Sequence, residues 1–467
     1  MKILLIYPPF QAGKGMGQVM CSPPLSLLTL AGAVKDLDHE IEILDLNSDY
    51  SYGIKKIQQK IKQYDMIGIT CMTNTFKVVL NICKIAKKCG VKTLLGGFHP
   101  TLQPDIIEKF DCIDMICRGE GEETFRELLD DKPIDKILGL SYRDNGKVFH
   151  NPDRKLIKNL DNLSYPYNRL IPSDSYHYLW VKAWVVESSR GCPFSCNFCC
   201  VTKFHKGKYR VKSPQRVIKE LLNVPNNVKL IFFVDDNFSL NYKRVLHICE
   251  LIRKNKLHKR FMFVCQSRVD DLANNPDMVK EMAKAGFICV FLGIESTKQM
   301  SLNRMNKQYT LDKLHKCISL CHKNGIIIFG SFIIGNLGEN SEDVWKTLHM
   351  MKKLDIDLMM TNPITPFPNT PLYDDAVANN WIPKDFRWEK WDLTAVMDTP
   401  DMSRLEIQEL VDESYFFFYK DIRYFLIGKR LLRVFNPKYW WLRKVVFSFI
   451  TKGLTKFVLQ LDYNVIE

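Results

Sequence analysis

Two successive series of short apolar runs, each run followed by a helix-length amphipathic stretch, constrain this 467-residue chain more than any other feature. In the first series the runs are Lys2–Tyr7, Glu40–Leu46, Met66–Thr70, Lys92–Leu95 and Met115–Cys117. They are rich in Ile, Leu and Val without clean polar alternation, the pattern of strands buried on both faces. Between them, stretches such as Pro24–Leu37 and Phe76–Cys89 carry apolar residues at three- and four-residue spacing. This alternation predicts an α/β domain over residues 1–140, a Rossmann-like parallel sheet with its ligand crevice at the carboxyl ends of the strands. Those ends read Tyr7-Pro8-Pro9, Thr70-Cys71-Met72-Thr73, Gly96-Gly97-Phe98-His99-Pro100 and Arg118-Gly119-Glu120-Gly121-Glu122. Small and hydroxylated residues recurring at four loops predict a binding rim for a sizeable ligand.

Residues 141–181 read as a linker with a hairpin around Asp144-Asn145-Gly146, followed by a Pro-, Asn- and Tyr-rich stretch. The second series begins at Trp184 and continues through Leu230–Val234, Phe261–Cys265, Ile288–Ile294, Ile326–Ile334 and Leu358–Asn362. It predicts a partial βα barrel over residues 182–385, with chemistry on its carboxyl rim. Residues 386–467 turn aromatic and basic and are expected to be helical. In Val445–Leu461 the apolar positions share one face, suited either to covering the open side of the barrel or to lying in a membrane interface. No uninterrupted apolar stretch reaches ~18 residues, so a spanning helix is not expected. The opening MKILLIYPPF lacks a cleavage site and reads as a buried strand, which predicts a cytoplasmic chain with reduced thiols. A formal charge of +14, concentrated between Lys420 and Lys456, points to an anionic partner or membrane surface, and the tail's aromatics fit a helix face better than a nucleic-acid stacking platform.

Fifteen cysteines are too irregularly spaced for a disulfide framework. Three of them, Cys192, Cys196 and Cys199, fall in Arg190-Gly191-Cys192-Pro193-Phe194-Ser195-Cys196-Asn197-Phe198-Cys199, just after the first strand of the second series. Three thiolates so spaced can hold three irons of a [4Fe–4S] cube and leave the fourth open. A zinc site completed by Cys200 or His205 is the competing reading. The C-x3-C-x-Φ-C loop, with Phe198 as its aromatic, resembles the signature of the radical S-adenosylmethionine (SAM) superfamily. The resemblance implies that Cys192, Cys196 and Cys199 bind the cluster, that SAM chelates the open iron, and that reductive cleavage yields a 5′-deoxyadenosyl radical. It assigns Asp235 and Asp236, in Phe233-Val234-Asp235-Asp236-Asn237-Phe238, to SAM's amino group or ribose. It pairs Arg268 with the SAM carboxylate and turns Glu295 toward the ribose or substrate. Ile333-Ile334-Gly335-Asn336-Leu337-Gly338-Glu339 corresponds to a motif that usually reads GLPGE, and Asn369 stands where glycine is commoner.

A Rossmann-like domain ahead of such a core resembles the cobalamin-binding radical SAM enzymes, and the resemblance runs from Met1 to about Tyr373. It implies cobalamin in a crevice supplied by Thr70, Thr73, Gly96 and Gly97, with His99 in the same loop. The D-x-H-x-x-G motif is absent, so no histidine is expected beneath the cobalt. The implied reaction is C-methylation of a hydrophobic or membrane-associated molecule, an isoprenoid lipid or tetrapyrrole. Oxidative cyclisation of the magnesium-protoporphyrin monomethyl ester cyclase type is the alternative. A methylthiotransferase and a non-catalytic iron–sulfur or corrinoid sensor rank below both. The implied partners are a small-molecule or lipid substrate and a low-potential flavodoxin or ferredoxin, with peripheral membrane contact through the tail and no nucleic acid.

Overall fold

The computed structural model describes residues 1–9, 20–49, 53–178 and 181–421. Its first eight strands are β1 (Lys2–Tyr7), β2 (Met20–Cys21), β3 (Glu40–Asp45), β4 (Met66–Thr70), β5 (Lys92–Gly96), β6 (Met115–Cys117), β7 (Leu140–Asp144) and β8 (Lys147–His150). They are followed by β9 (His177–Tyr178), β10 (Val181–Val186), β11 (Ser189–Arg190), β12 (Arg210–Val211), β13 (Leu230–Phe233), β14 (Met262–Ser267), β15 (Phe287–Glu295), β16 (Ile327–Ile334) and β17 (Leu358–Pro363).

The first sheet runs β3-β1-β4-β5-β6-β7-β8, parallel through β6. Among its parallel strands this is the flavodoxin-like order, and the order reverses between β1 and β4, so the crevice opens beyond Tyr7 and Thr70. Strand β1 is apolar on both faces because both are covered. Ile3 and Leu5 join a core continuous with the second sheet, whereas Leu4 and Ile6 pack in the layer holding Val79, Ile82 and Cys83 of the helix Phe76–Lys88. Each such aliphatic side chain, fully buried, stabilises the fold by ~1.5–3 kcal/mol before chain entropy is subtracted.

The expected hairpin at Asp144-Asn145-Gly146 is present as β7–β8, but it belongs to the first sheet and not to the connection. Antiparallel pairing of β7 on β6 covers an edge that the parallel series leaves bare. Strand β9, in the stretch read as linker, pairs with β10 at the margin of the second sheet, and β2 pairs in turn on β9. The second sheet thus reads β17-β16-β15-β14-β13-β10-β9-β2. From β10 to β17 its strands are parallel and sequential, the order of an open βα barrel. On the convex face Phe233, Phe263 and Phe287 pack together, with Phe238 against Phe233 and Phe287 and Phe261 against Phe263.

The helix Arg404–Tyr419 lies along β17, where Tyr415 and Tyr419 exchange hydrogen bonds with the backbones of Thr361 and Met359. It covers one margin of the open barrel. The amphipathic segment Val445–Leu461 lies outside the described residues. No helix among the described residues is long and apolar enough to cross a membrane.

Candidate active site

The cysteine loop leaves the barrel after β10 and is closed at its base by a two-residue ladder, Ser189 opposite Val211 and Arg190 opposite Arg210. Gly191 has φ +83, and a side chain there would meet the carbonyl oxygen of Lys208 at 2.2 Å, so only glycine can start this loop. Cys192, Cys196 and Cys199 are partly exposed, and none is in a disulfide. Burial raises the Cys192 thiol and pushes Cys199 up to about 12, with the neighbouring Cys196 adding to both. Among the described residues no three His, Cys, Asp or Glu side chains converge to hold a single metal ion, and a cluster bound by these cysteines would displace their thiol protons. The donor set is what an iron–sulfur cube needs: three thiols within eight residues and no carboxylate in the C-x3-C-x2-C stretch.

Positive charge converges on the same loop. The Arg268 guanidinium lies 3.6 Å from the Phe194 ring and 3.9 Å from the Cys196 sulfur. Its Nε donates to Asp270 at 3.0 Å, so it is neither free nor a surface salt bridge. Lys307 Nζ sits 2.8 Å from Glu295 Oε1 and 6.0 Å from the centre of the Phe198 ring. Burial, the largest single influence, would lower the Lys307 ammonium, but the charge and hydrogen bond of Glu295 together with the nearby Cys196 raise it. Glu295 has φ +65 and interrupts the β15–β16 register, a strained bulge that turns the strand end at the site.

The two adjacent aspartates part company. Asp235 is wholly buried and accepts from the Ser188 amide at 2.7 Å and from the Ser188 and Ser189 hydroxyls at 2.5 and 2.6 Å. Its expected contact with SAM is therefore corrected: solvent does not reach it, and it ties β13 to the turn before the cysteine loop. Asp236 keeps 27% of its side chain exposed, accepts from the Gly191 amide at 2.9 Å, and is pushed up to about 6 by burial. It remains the acid available to a cationic ligand. Downstream, Asn336 bonds Ile333 O and Glu339, and Glu339 accepts from Ser296 at 2.6 Å, so Asn336 braces the loop where proline is usual. Asn369 adopts φ +61, a conformation asparagine tolerates better than most residues, and its amide donates to Leu102 O of the first domain at 2.6 Å.

On the first domain's rim, Thr70 and Gly96 are partly open and Met72 is 42% exposed. A side chain at Gly96 would touch nothing closer than 3.9 Å, whereas at Gly97, with φ +103, it would meet Cys71 O at 2.8 Å. Gly97 is thus required by the packing of β5 against β4, and Gly96 leaves space at the crevice. Thr73 and His99 are buried, and His99 Nδ1 lies 3.3 Å from Thr73 Oγ1. The short helix Phe98–Leu102 turns His99 against Phe76 at 4.3 Å, and burial pushes its imidazole down to about 3. The expectation of His99 on the rim is corrected: it pins the loop from behind. The same turn sends Phe98 outward to stack on Phe204 of the cysteine loop at 4.3 Å. The Arg118–Glu122 loop also departs from a pure ligand rim, since Glu120 and Glu122 bind Arg190. These contacts, with Lys307, were not visible in the sequence pattern. The crevice, with its open glycine, exposed thioether and, among the described residues, no histidine on the rim, fits a bulky, partly apolar ligand such as a corrinoid.

A sequential open barrel with three cysteines after its first strand defines a radical SAM enzyme, and residues 186–351 match the Radical SAM superfamily. Residues 19–129 match the B12 binding domain. An uncharacterized methyltransferase of Pyrococcus horikoshii, PH0819, is 36% identical over 431 residues, 90% of this chain and 92% of that one. The anaerobic magnesium-protoporphyrin IX monomethyl ester cyclase of Cereibacter sphaeroides is 27% identical, covering 90% of this chain and 70% of the cyclase. OxsB, a cobalamin-dependent S-adenosylmethionine radical enzyme solved with aqua-cobalamin and S-adenosylmethionine, superposes with TM-score 0.73 at 19% identity, covering 98% of this chain and 72% of OxsB. The chain belongs to the radical SAM enzymes that carry a B12-binding domain. Membership implies a [4Fe–4S] cluster, SAM and cobalamin as cofactors, a small-molecule substrate and a reductant.

Proposed function

We propose that this chain methylates an unactivated carbon of a hydrophobic small molecule held on the concave face of the barrel. The observation carrying this reading is the chemistry of that face. Strand alternation turns Phe232, Val264, Phe291, Phe329, Ile333 and Met360 away from the helices, and all six stay partly exposed. Charged side chains are missing from this set. The Gln266 and Asn362 amides, on the same face, make no hydrogen bond with a described residue and are free to orient a substrate hydroxyl or carbonyl. An apolar chamber with few polar groups suits a lipid or tetrapyrrole better than a peptide or a phosphorylated metabolite.

When bound, the cluster supplies the electron that cleaves SAM, and cobalamin carries the methyl group. Cys192, Cys196 and Cys199 would hold the cluster, and Arg268 and Lys307 supply the positive charge that favours electron density on their sulfurs. Asp236 would accept from a SAM ammonium, and Glu295, fixed by Lys307, would serve the ribose. Thr70, Met72 and Gly96 line the corrinoid crevice. Stacking of Phe98 on Phe204 brings that crevice's loop against the cysteine loop, the proximity a transfer between two cofactors requires. The reading divides the chain after β8, before β9 and near residue 385, takes a flavodoxin or ferredoxin as electron donor, and keeps the basic tail beyond Asp421 for peripheral contact with an anionic membrane.

The test is anaerobic reconstitution with iron, sulfide and hydroxocobalamin, followed by reaction with methyl-deuterated SAM, a strong reductant and extracted membrane lipids. Equal amounts of 5′-deoxyadenosine and S-adenosylhomocysteine, with deuterium in a lipid product, are expected. Formation of 5′-deoxyadenosine without label transfer would favour the cyclase reading. Bound zinc, or no 5′-deoxyadenosine, would remove both.

A further inference from the structure

Both feet of the cysteine loop are fastened to one carboxylate of the other domain. Arg190 and Arg210 stand opposite each other in the ladder that closes residues 191–209. Like charges placed so destabilise a strand pair unless something neutralises them. Glu120 does so: Arg190 Nη1 reaches it at 2.8 Å, and Arg210 Nη1 grips its two oxygens at 2.9 and 2.7 Å. Its remaining capacity accepts the Ile157 amide at 2.8 Å. Arg190 completes its fork on Glu122 at 2.6 Å and on Glu187 at 2.9 Å. The cluster continues inward through Lys212 to Glu220 and from Glu220 to Arg216, so that four cations face four anions. Burial alone would raise the Glu120 carboxyl, yet the two guanidiniums hold it below the usual carboxylate range.

The contacts from the first domain, at Phe98, Glu120 and Glu122, all follow the carboxyl ends of β5 and β6, beside the crevice. The corrinoid rim and the cysteine loop therefore share one set of side chains. We propose that Glu120 is a positioning residue through which the B12-binding domain sets the shape of the cysteine loop, so that a corrinoid on the rim and SAM at the cluster alter each other's binding. The inference rests on the functional reading above and adds a coupling between its two cofactor sites. Such coupling is reciprocal and needs no direct contact between the ligands.

The experiment measures SAM affinity of the reconstituted full chain, from the change SAM causes in the electron paramagnetic resonance spectrum of the reduced cluster, with and without hydroxocobalamin. In the wild type, corrinoid is expected to shift that affinity about fivefold or more. Glu120→Gln, which keeps the shape but loses the charge between the arginines, is expected to keep its iron and its response to SAM while the shift disappears. Arg126→Gln, breaking an exposed pair with Asp36, serves as a control and should retain the shift. A Glu120→Gln protein that couples as the wild type does, or a wild type with no shift, overturns the proposal. Should Glu120→Gln fail to hold iron, Glu122→Gln decides: a reduced shift supports the tether, and an unchanged one overturns it. A wild type that takes up no iron cube is a separate result, which refutes the functional reading itself.

Discussion

Replacing Lys307 with methionine strips the counter-charge from a carboxylate that the fold has already removed from water. The two side chains are only 7% and 9% exposed and 2.8 Å apart. Removing one partner of a buried ion pair costs about 3–5 kcal/mol, because the other charge remains without compensation. Glu295 has little freedom to escape, since its backbone is at φ +65 and its Oε1 lies 2.6 Å from where a side chain on Gly293 would begin. For a domain of this size each kcal/mol lowers the melting temperature by roughly 2–4 °C, so Lys307→Met should melt about 6–20 °C below the wild type. Pairing it with Glu295→Gln removes both charges and should restore most of the loss, giving a large coupling energy in a double-mutant cycle. The assay is anaerobic differential scanning fluorimetry of metal-free protein at neutral pH. A single variant melting within about 2 °C of the wild type, or a double variant no better than the single, would refute the reasoning.

Gly97→Ala places a methyl group against the Cys71 backbone at positive φ and should cost about 2–5 kcal/mol in strain and overpacking. Gly96→Ala meets open space and should leave melting unchanged while weakening cobalamin retention, read by absorbance, and the opposite ranking would sink this account of the rim. Asp45 is buried, and desolvation pushes its carboxyl from 3.8 to about 6, so the folded state holds a proton that the unfolded chain releases. Stability should therefore fall as pH rises from about 4 to 6 and then level off, a loss of roughly 3 kcal/mol. Asp45→Asn should abolish that slope in melting curves across this range, and an unchanged slope would assign it elsewhere.

Strands were legible where burial on both faces wrote an unbroken apolar run: β1, β4 and β6 begin and end where the sequence indicates. The cysteine loop was equally plain, because its ligands are local. Side-chain destinations were not. Asp235 and Asp236 differ only in which way the chain turns after β13, and no sequence period records that turn. His99 shares its loop with the two glycines of the crevice, yet one turn of helix points it into the core. Glu120, Glu122 and Arg190 were all in view, but partners separated by 68 to 70 residues leave no mark in a local pattern. Lys307 lies in a connection between two helices, where only the Glu295 bulge gives it meaning.

The pairing of β2 with β9 has a consequence for anyone who wishes to cut this protein in two. A strand encoded within the first 21 residues closes the margin of a sheet whose remaining members begin more than 150 residues later. A fragment starting at β9 would leave that strand with an unsatisfied backbone ladder, an invitation to aggregation. During synthesis the early strand must wait for its partner, so the second half of the fold matures only with the amino terminus in hand.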